Sequence, residues 1–186
     1  MISSTKICGI SDPKTLNYIL NHPHPPSLIG FICNYKTSPR YVEFDKLKEL
    51  LEINKKQSKY VAVIVKNDSV TLESIKDLPF DYYQLYGCSP NEVRKIKETY
   101  KKKIITAITI KNKDDVIKYK DYENVSDIIL FDGPGMAESI GFNHDLLNEV
   151  PEHISKMIAG NIKIEDLPNF KDKSWILDVS GSLESK

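Results

Sequence analysis

The sequence predicts an alternating α/β protein whose parallel strands close into a (β/α)8 barrel. Three observations carry that expectation. Eight short β-type apolar runs punctuate the chain, several are apolar at consecutive positions as befits parallel strands covered on both faces, and helical patterns separate most of them at intervals of roughly 20 to 30 residues.

The first run, "TKICGI" (5–10), stops at a cysteine and a glycine and hands the chain to a helix through "SDP". "LIGFIC" (28–33) follows, and "VEFDKLKELLEINKK" then carries Phe44, Leu47, Leu50 and Leu51 at helical spacing. "YVAVIV" (60–65) and "YYQLYG" (82–87) are the third and fourth runs. The clearest helix comes next: "SPNEVRKIKETY" has Ser89 as N-cap, Pro90 at the first helical position, Glu92 closing a capping box, and Val93, Ile96 and Tyr100 on one face. Its basic end, Lys101 to Lys103, suits the negative pole of that helix. "KIITAI" (103–108), "DIILFD" (127–132), "KMIAG" (156–160) and "WILDVS" (175–180) complete the set, with short helices expected around "DLLNEV" and "IEDLPNF".

At 186 residues and 40% apolar composition the chain supports one core, so a single domain over 1–186 is expected. An eighth helix should follow "WILDVSGSLESK" and is absent from the sequence. If the chain is complete, the outer faces of strands eight and one, with Trp175 and Leu177 together on one side, are expected to be covered by a second copy of the chain, another partner or a rearranged segment of the chain itself; if it is truncated, it is expected to be weakly stable and to aggregate.

Charge and composition exclude several classes. Twenty-six basic residues balance 26 acidic ones, which leaves no global field to gather nucleic acid or an anionic membrane. No run approaches the roughly 20 apolar residues of a membrane span and no signal-peptide pattern opens the chain, so the reading is cytoplasmic. Cys8, Cys33 and Cys88 form no CxxC, and His22, His24, His144 and His153 share no ligand spacing with them. Free thiols and no metal are expected.

In an alternating α/β protein the carboxyl ends of the strands are where ligands are met. Cys8 and Asp132 both sit there. Taken alone, each has a plainer reading: a buried strand-end cysteine, and an Asx-turn ahead of Gly133 and Pro134.

Six pieces in order then carry a resemblance over nearly the whole chain: "KICGI", "GFICNYKTSPRYV", "QLYG", "ILFDG", "AGNI" and "DVSGSLE". The sequence resembles the phosphoribosylanthranilate isomerases of tryptophan biosynthesis. The resemblance implies a TIM barrel and a cofactor-free Amadori rearrangement of N-(5-phosphoribosyl)anthranilate to 1-(2-carboxyphenylamino)-1-deoxyribulose 5-phosphate, with a phosphosugar as the small-molecule partner. It puts the general base on Cys8 and the general acid on Asp132. Arg40 would hold the aryl carboxylate, Asp178 would meet a substrate hydroxyl, and Gly160, Asn161, Gly181 and Ser182 would bind the phosphate. Such chemistry asks for a partly ionised thiol and a protonated carboxyl, the reverse of their ordinary states, so cationic or donor groups are expected near Cys8 and a desolvated or acidic setting near Asp132.

The chain departs from the family pattern in four places. "AGGL" is "AGNI", "DVSSGVE" is "DVSGSLE", "QLHG" is "QLYG" with Tyr86 in place of histidine, and the Gly-rich "GGTG" before "FDW" is replaced within "MAESIGFNH". If that last loop must close over the substrate, either Ala137 and Glu138 are expected to slow it or Glu138 to repel the phosphate. The alternative function is a degenerate, non-catalytic phosphosugar-binding barrel.

Overall fold

The computed structural model describes residues 4–135 and 140–183. Among these, β1 (Ser4–Cys8), β2 (Leu28–Ile32), β3 (Lys59–Val65), β4 (Tyr82–Tyr86), β5 (Lys103–Thr109), β6 (Ile128–Asp132), β7 (Lys156–Ile158) and β8 (Ile176–Val179) pair in parallel and in sequence order, and β8 closes on β1. Each strand falls within, or one residue beyond, one of the eight apolar runs. Closure sets Lys6 opposite Asp178, and the β1–β2 pairing sets Cys8 opposite Gly30.

Local chemistry accounts for the helices. Asp12 Oδ1 accepts from the Thr15 amide ahead of α1 (Pro13–Asn21), and Asp68 accepts from the Val70 and Thr71 amides ahead of α3 (Ser69–Ile75). α4 (Pro90–Tyr100) carries the predicted capping box: the Ser89 amide donates to Glu92 Oε2 at 2.7 Å, and Ser89 Oγ accepts from the Glu92 amide. It ends at Lys101, whose φ of 53° takes the chain out of the helix. α2 (Phe44–Glu52) buries Leu47, Leu50 and Leu51. Phe44, expected on the same face, is instead 38% exposed beneath the Lys48 ammonium, 4.7 Å from its ring centroid. Two one-turn helices, α5 (Lys113–Val116) and α6 (Tyr119–Tyr122), follow β5.

The short helices expected after β6 and β7 form as 3₁₀ segments, His144–Glu149 and Ile164–Phe170. The second contains Pro168, which lacks the N–H that an α-helix interior needs. A final 3₁₀ turn, Gly181–Leu183, ends the described residues.

Side-chain alternation divides the apolar residues. Leu28, Val61, Ile105, Leu130 and Met157 fill the barrel interior. Outside it lie two clusters, one over β1 to β4 containing Leu16, Phe31, Leu50, Tyr83 and Val93, the other over the end of β5 to β8 containing Ile108, Phe131, Leu147, Phe170 and Leu177. Tyr122 packs against both.

Of the covers expected for Trp175 and Leu177, the structure shows a segment of the chain itself. They are only 5% and 1% exposed, because the chain after β7 folds back over them and brings Phe170 to 6.1 Å from Trp175 between ring centroids. What remains open along the β8–β1 junction is Thr5, with Ile7 and Val179 half-buried.

Candidate active site

The eight residues selected from the sequence, Cys8, Arg40, Asp132, Gly160, Asn161, Asp178, Gly181 and Ser182, all line one pocket at the carboxyl ends of the strands. Met136 to Ser139, which include the expected effects of Ala137 and Glu138, lie outside the described residues.

Period-two alternation turns Lys6 and Cys8 to the inside of β1. The Lys6 side chain is fully buried and Nζ donates to Asp178 Oδ2 at 2.7 Å. Asp178 Oδ1 is buried without a hydrogen bond and belongs to a residue of the pocket wall, so it is ready to accept one from a ligand. Gly30 makes room for both β1 side chains: a Cβ there would lie 2.9 Å from Cys8 Sγ and 3.1 Å from Lys6 Nζ. Burial works against the Lys6 ammonium, and the neighbouring Asp178 and Cys8 together offset it, leaving the Lys6 pKa above the usual lysine value.

Burial also dominates Cys8 and pushes its thiol up. The charge of Lys6 and, less strongly, that of Arg40 pull it down, while Asp178 opposes them. The cations expected beside the sulfur are therefore present, but desolvation outweighs them.

Asp132 meets its expectation. Burial raises its carboxyl to about 6, assisted by Asp178 and opposed by the hydrogen bond from Tyr86 and the charge of Lys6. Tyr86 Oη donates to Asp132 Oδ2 at 2.9 Å and itself receives a hydrogen bond from Gln84 Nε2 at 3.2 Å. Burial and the neighbouring Asp132 hold the Tyr86 phenol well above its ordinary pKa, so it remains a donor.

Arg40 lies over the end of β1. A Cβ on Gly9 would fall 2.5 Å from Arg40 Cδ, and one on Gly181 would fall 3.2 Å from Arg40 Nη1. The guanidinium thus reaches from the β2 loop toward the β8 loop. Gly160 and Asn161 have φ of 99° and 51°, so asparagine adopts the left-handed conformation that "AGNI" requires of it. Ser180 Oγ donates to the Cys8 carbonyl at 3.0 Å, tying the β8 loop to the end of β1. No group of three or more His, Cys, Asp or Glu among the described residues is placed to hold a metal, and no helix there is long and apolar enough to cross a membrane.

Sequence reasoning missed Lys6, Gly30 and the contact that Tyr86 makes. Lys6 was legible in principle, since it shares the inward face of β1 with Cys8, and a charge on that face requires a buried partner.

Comparison with known proteins identifies the family. N-(5'-Phosphoribosyl)anthranilate isomerases of Agrobacterium fabrum and of a Sulfurihydrogenibium species are each 31% identical, the first over 97% of this chain and 86% of its own length, the second over 96% and 88%. The phosphoribosyl anthranilate isomerase of Thermotoga maritima superposes with a TM-score of 0.87 at 21% identity, covering 100% of this chain and 91% of its own. A structure of such an enzyme in complex with reduced 1-(o-carboxyphenylamino)-1-deoxyribulose 5-phosphate superposes with a TM-score of 0.84 at 20% identity, over 100% and 90% of the two chains. The two superpositions establish the shared barrel. The family model described as N-(5'phosphoribosyl)anthranilate (PRA) isomerase matches residues 5–186, and with relatives this similar over nearly their full length the chain belongs to the N-(5'-phosphoribosyl)anthranilate isomerase family.

Proposed function

We propose that this chain is a cytoplasmic enzyme that converts N-(5-phosphoribosyl)anthranilate to 1-(2-carboxyphenylamino)-1-deoxyribulose 5-phosphate without a cofactor. Asp132 gives its proton to the furanose ring oxygen as the ring C–O bond breaks, and the anilino nitrogen lone pair forms the C=N bond of an iminium. Cys8, as thiolate, removes the proton from the adjacent ribose carbon, and the electrons of that C–H bond neutralise the iminium and give the enol. Tautomerisation of the enol yields the ketose.

The observation that carries this reading is the shared pocket of Cys8 and an Asp132 whose carboxyl is held at about 6, near enough to neutrality to deliver a proton. In the same reading Arg40 grips the aryl carboxylate in a planar two-point contact. Asp178 receives a ribose hydroxyl on its open oxygen. Gly160, Asn161, Gly181 and Ser182 bind the phosphate through the loops after β7 and β8. The raised Cys8 thiol is the one observation that favours a non-catalytic phosphosugar-binding barrel instead.

A fluorescence assay that follows loss of phosphoribosylanthranilate, generated in situ, decides between them. Cys8→Ala and Asp132→Asn are each expected to lower turnover by at least about 100-fold while a product analogue still binds. Near-normal turnover in either variant would remove that residue from its role, and an inactive wild type that binds the analogue would favour the binding module.

A further inference from the structure

Tyr86 departs from the family motif and nonetheless touches the residue read as the acid. Its hydroxyl has one proton, committed to Asp132 Oδ2 at 2.9 Å, and an acceptor site used by Gln84 Nε2 at 3.2 Å. The two donors follow one another with fixed polarity, from Gln84 through Tyr86 to the carboxyl. Strand register explains how the phenol reaches so far. Tyr86 and Leu130 are both paired with Ala107 of β5, and the small side chain of Ala107 leaves the space between β4 and β6 open.

We infer that Tyr86 is a positioning residue for the general acid: by donating to Oδ2 it assigns the acidic proton of Asp132 to the other carboxyl oxygen and stabilises the carboxylate left after that proton is delivered. The inference rests on the reading of Asp132 as the acid. A carboxyl oxygen that accepts a hydrogen bond from a phenol is the carbonyl-like one, so the proton resides on its twin. When that proton passes to the substrate ring oxygen, the Tyr86 bond becomes charge-assisted and shortens, so it is stronger in the transition state than before it. Among the described residues, the titratable groups that act on Asp132 or on its Tyr86 partner include Tyr86 from β4, Asp178 from β8, and Lys6 and Cys8 from β1, and the Gly133 amide also donates to the carboxyl. Its flanking strands β5 and β7 contribute Thr109 beside it and Ala159 at the end of β7, neither of them charged.

Tyr86→Phe keeps the ring and removes the donor. Without the donor the carboxylate is less stable, so more of Asp132 stays protonated at a given pH. In carbon-13 carboxyl titrations, with Asp132→Asn assigning the signal, the Asp132 midpoint is expected to move up by about one unit. In kinetics, kcat at the optimum is expected to fall about 10-fold with KM changed less than about twofold, because the lost bond matters most in the transition state. Tyr86→His, which offers a ring N–H, should recover part of both. Superimposable carboxyl titrations of wild type and Tyr86→Phe, or a Phe variant with wild-type kcat, would overturn the inference. Failure of the underlying reading looks different: Asp132→Asn would then turn over substrate as wild type does, while the titration still reports whether Tyr86 acts on Asp132.

Discussion

Gly30 faces Cys8 across the β1–β2 pair with no space for a side chain, since a Cβ on Gly30 would approach Cys8 Sγ to 2.9 Å. The glycine is there for the thiol and for the Lys6 ammonium beside it. Gly30→Ala is expected to displace the sulfur from its working position and to lower kcat about 100-fold with little change in KM, as for other misplacements of about 1 Å. Steady-state kinetics together with a circular dichroism spectrum like that of wild type would check it. An alanine variant with full activity would mean that the sulfur position is not critical.

Lys6 and Asp178 form a pair that must be removed together. Lys6→Met leaves Asp178 buried and uncompensated, and the loss in chemical denaturation is expected to be about 3–5 kcal/mol. Lys6→Met with Asp178→Asn should recover part of it. Loss of the ammonium should also move the Cys8 alkylation profile to higher pH. Cys33 and Cys88, pushed by burial to about 12 and about 11, stay silent in that assay. An alkylation midpoint unmoved in Lys6→Met would show that the ammonium does not act on the thiol.

The two titrating groups set an unusual pH dependence. The active form has Asp132 protonated and Cys8 ionised, yet burial puts Asp132 at about 6 and raises Cys8 above its ordinary value. Most molecules at neutral pH therefore hold the opposite states. With kcat/KM proportional to the product of the two fractions, it should rise with pH until about 6, where Asp132 begins to lose its proton as fast as Cys8 loses its own. It then stays flat and falls only above the Cys8 pKa. A decline beginning at pH 6 would mean that Cys8 is already ionised there.

Arg40 is close to two predicted subsites. Arg40→Ala is expected to raise KM about tenfold, more than it lowers kcat, with Arg40→Lys recovering only part. Because the guanidinium lies near Gly181, the measurement needs two product analogues, one lacking the aryl carboxylate and one lacking the phosphate. If Arg40 reads the carboxylate, the variant loses nothing against the first analogue. If it loses nothing against the second instead, Arg40 belongs to the phosphate.

The barrel was legible because buried parallel strands leave consecutive apolar residues, as in "YVAVIV", and because Ser89, Pro90 and Glu92 write a helix start into adjacent positions. The site was legible only where a family motif marked it. Tyr86 stood out as an exchanged residue, but its partner lies 46 positions away and is reached across β5, a relation set by strand register that no local pattern carries. Which of the expected covers lies over Trp175 was not legible for the same reason. The cover comes from Phe170, five residues earlier, through a 3₁₀ segment whose return path depends on where the barrel wall stands.

Outside the wall, the two apolar clusters divide the barrel into two halves that meet at one side at Tyr122 and at the other at the thinly covered seam of Thr5, Ile7 and Val179, while the interior residues span both. The proposed base and Arg40 belong to the first half, the proposed acid and the β7 loop to the second. Across the thin seam, inside the wall, the Lys6–Asp178 bond acts as a rivet between the first strand and the last. Catalysis is then a report on cohesion. If the seam parts, the pocket is lost while each half keeps its own cluster, and β6 to β8, backed by 3₁₀ turns, exchange amide hydrogens at a lower opening free energy than β2 to β4. A substrate held from both sides would lend the seam some of its binding energy, so that the halves are most firmly one body when the pocket is full.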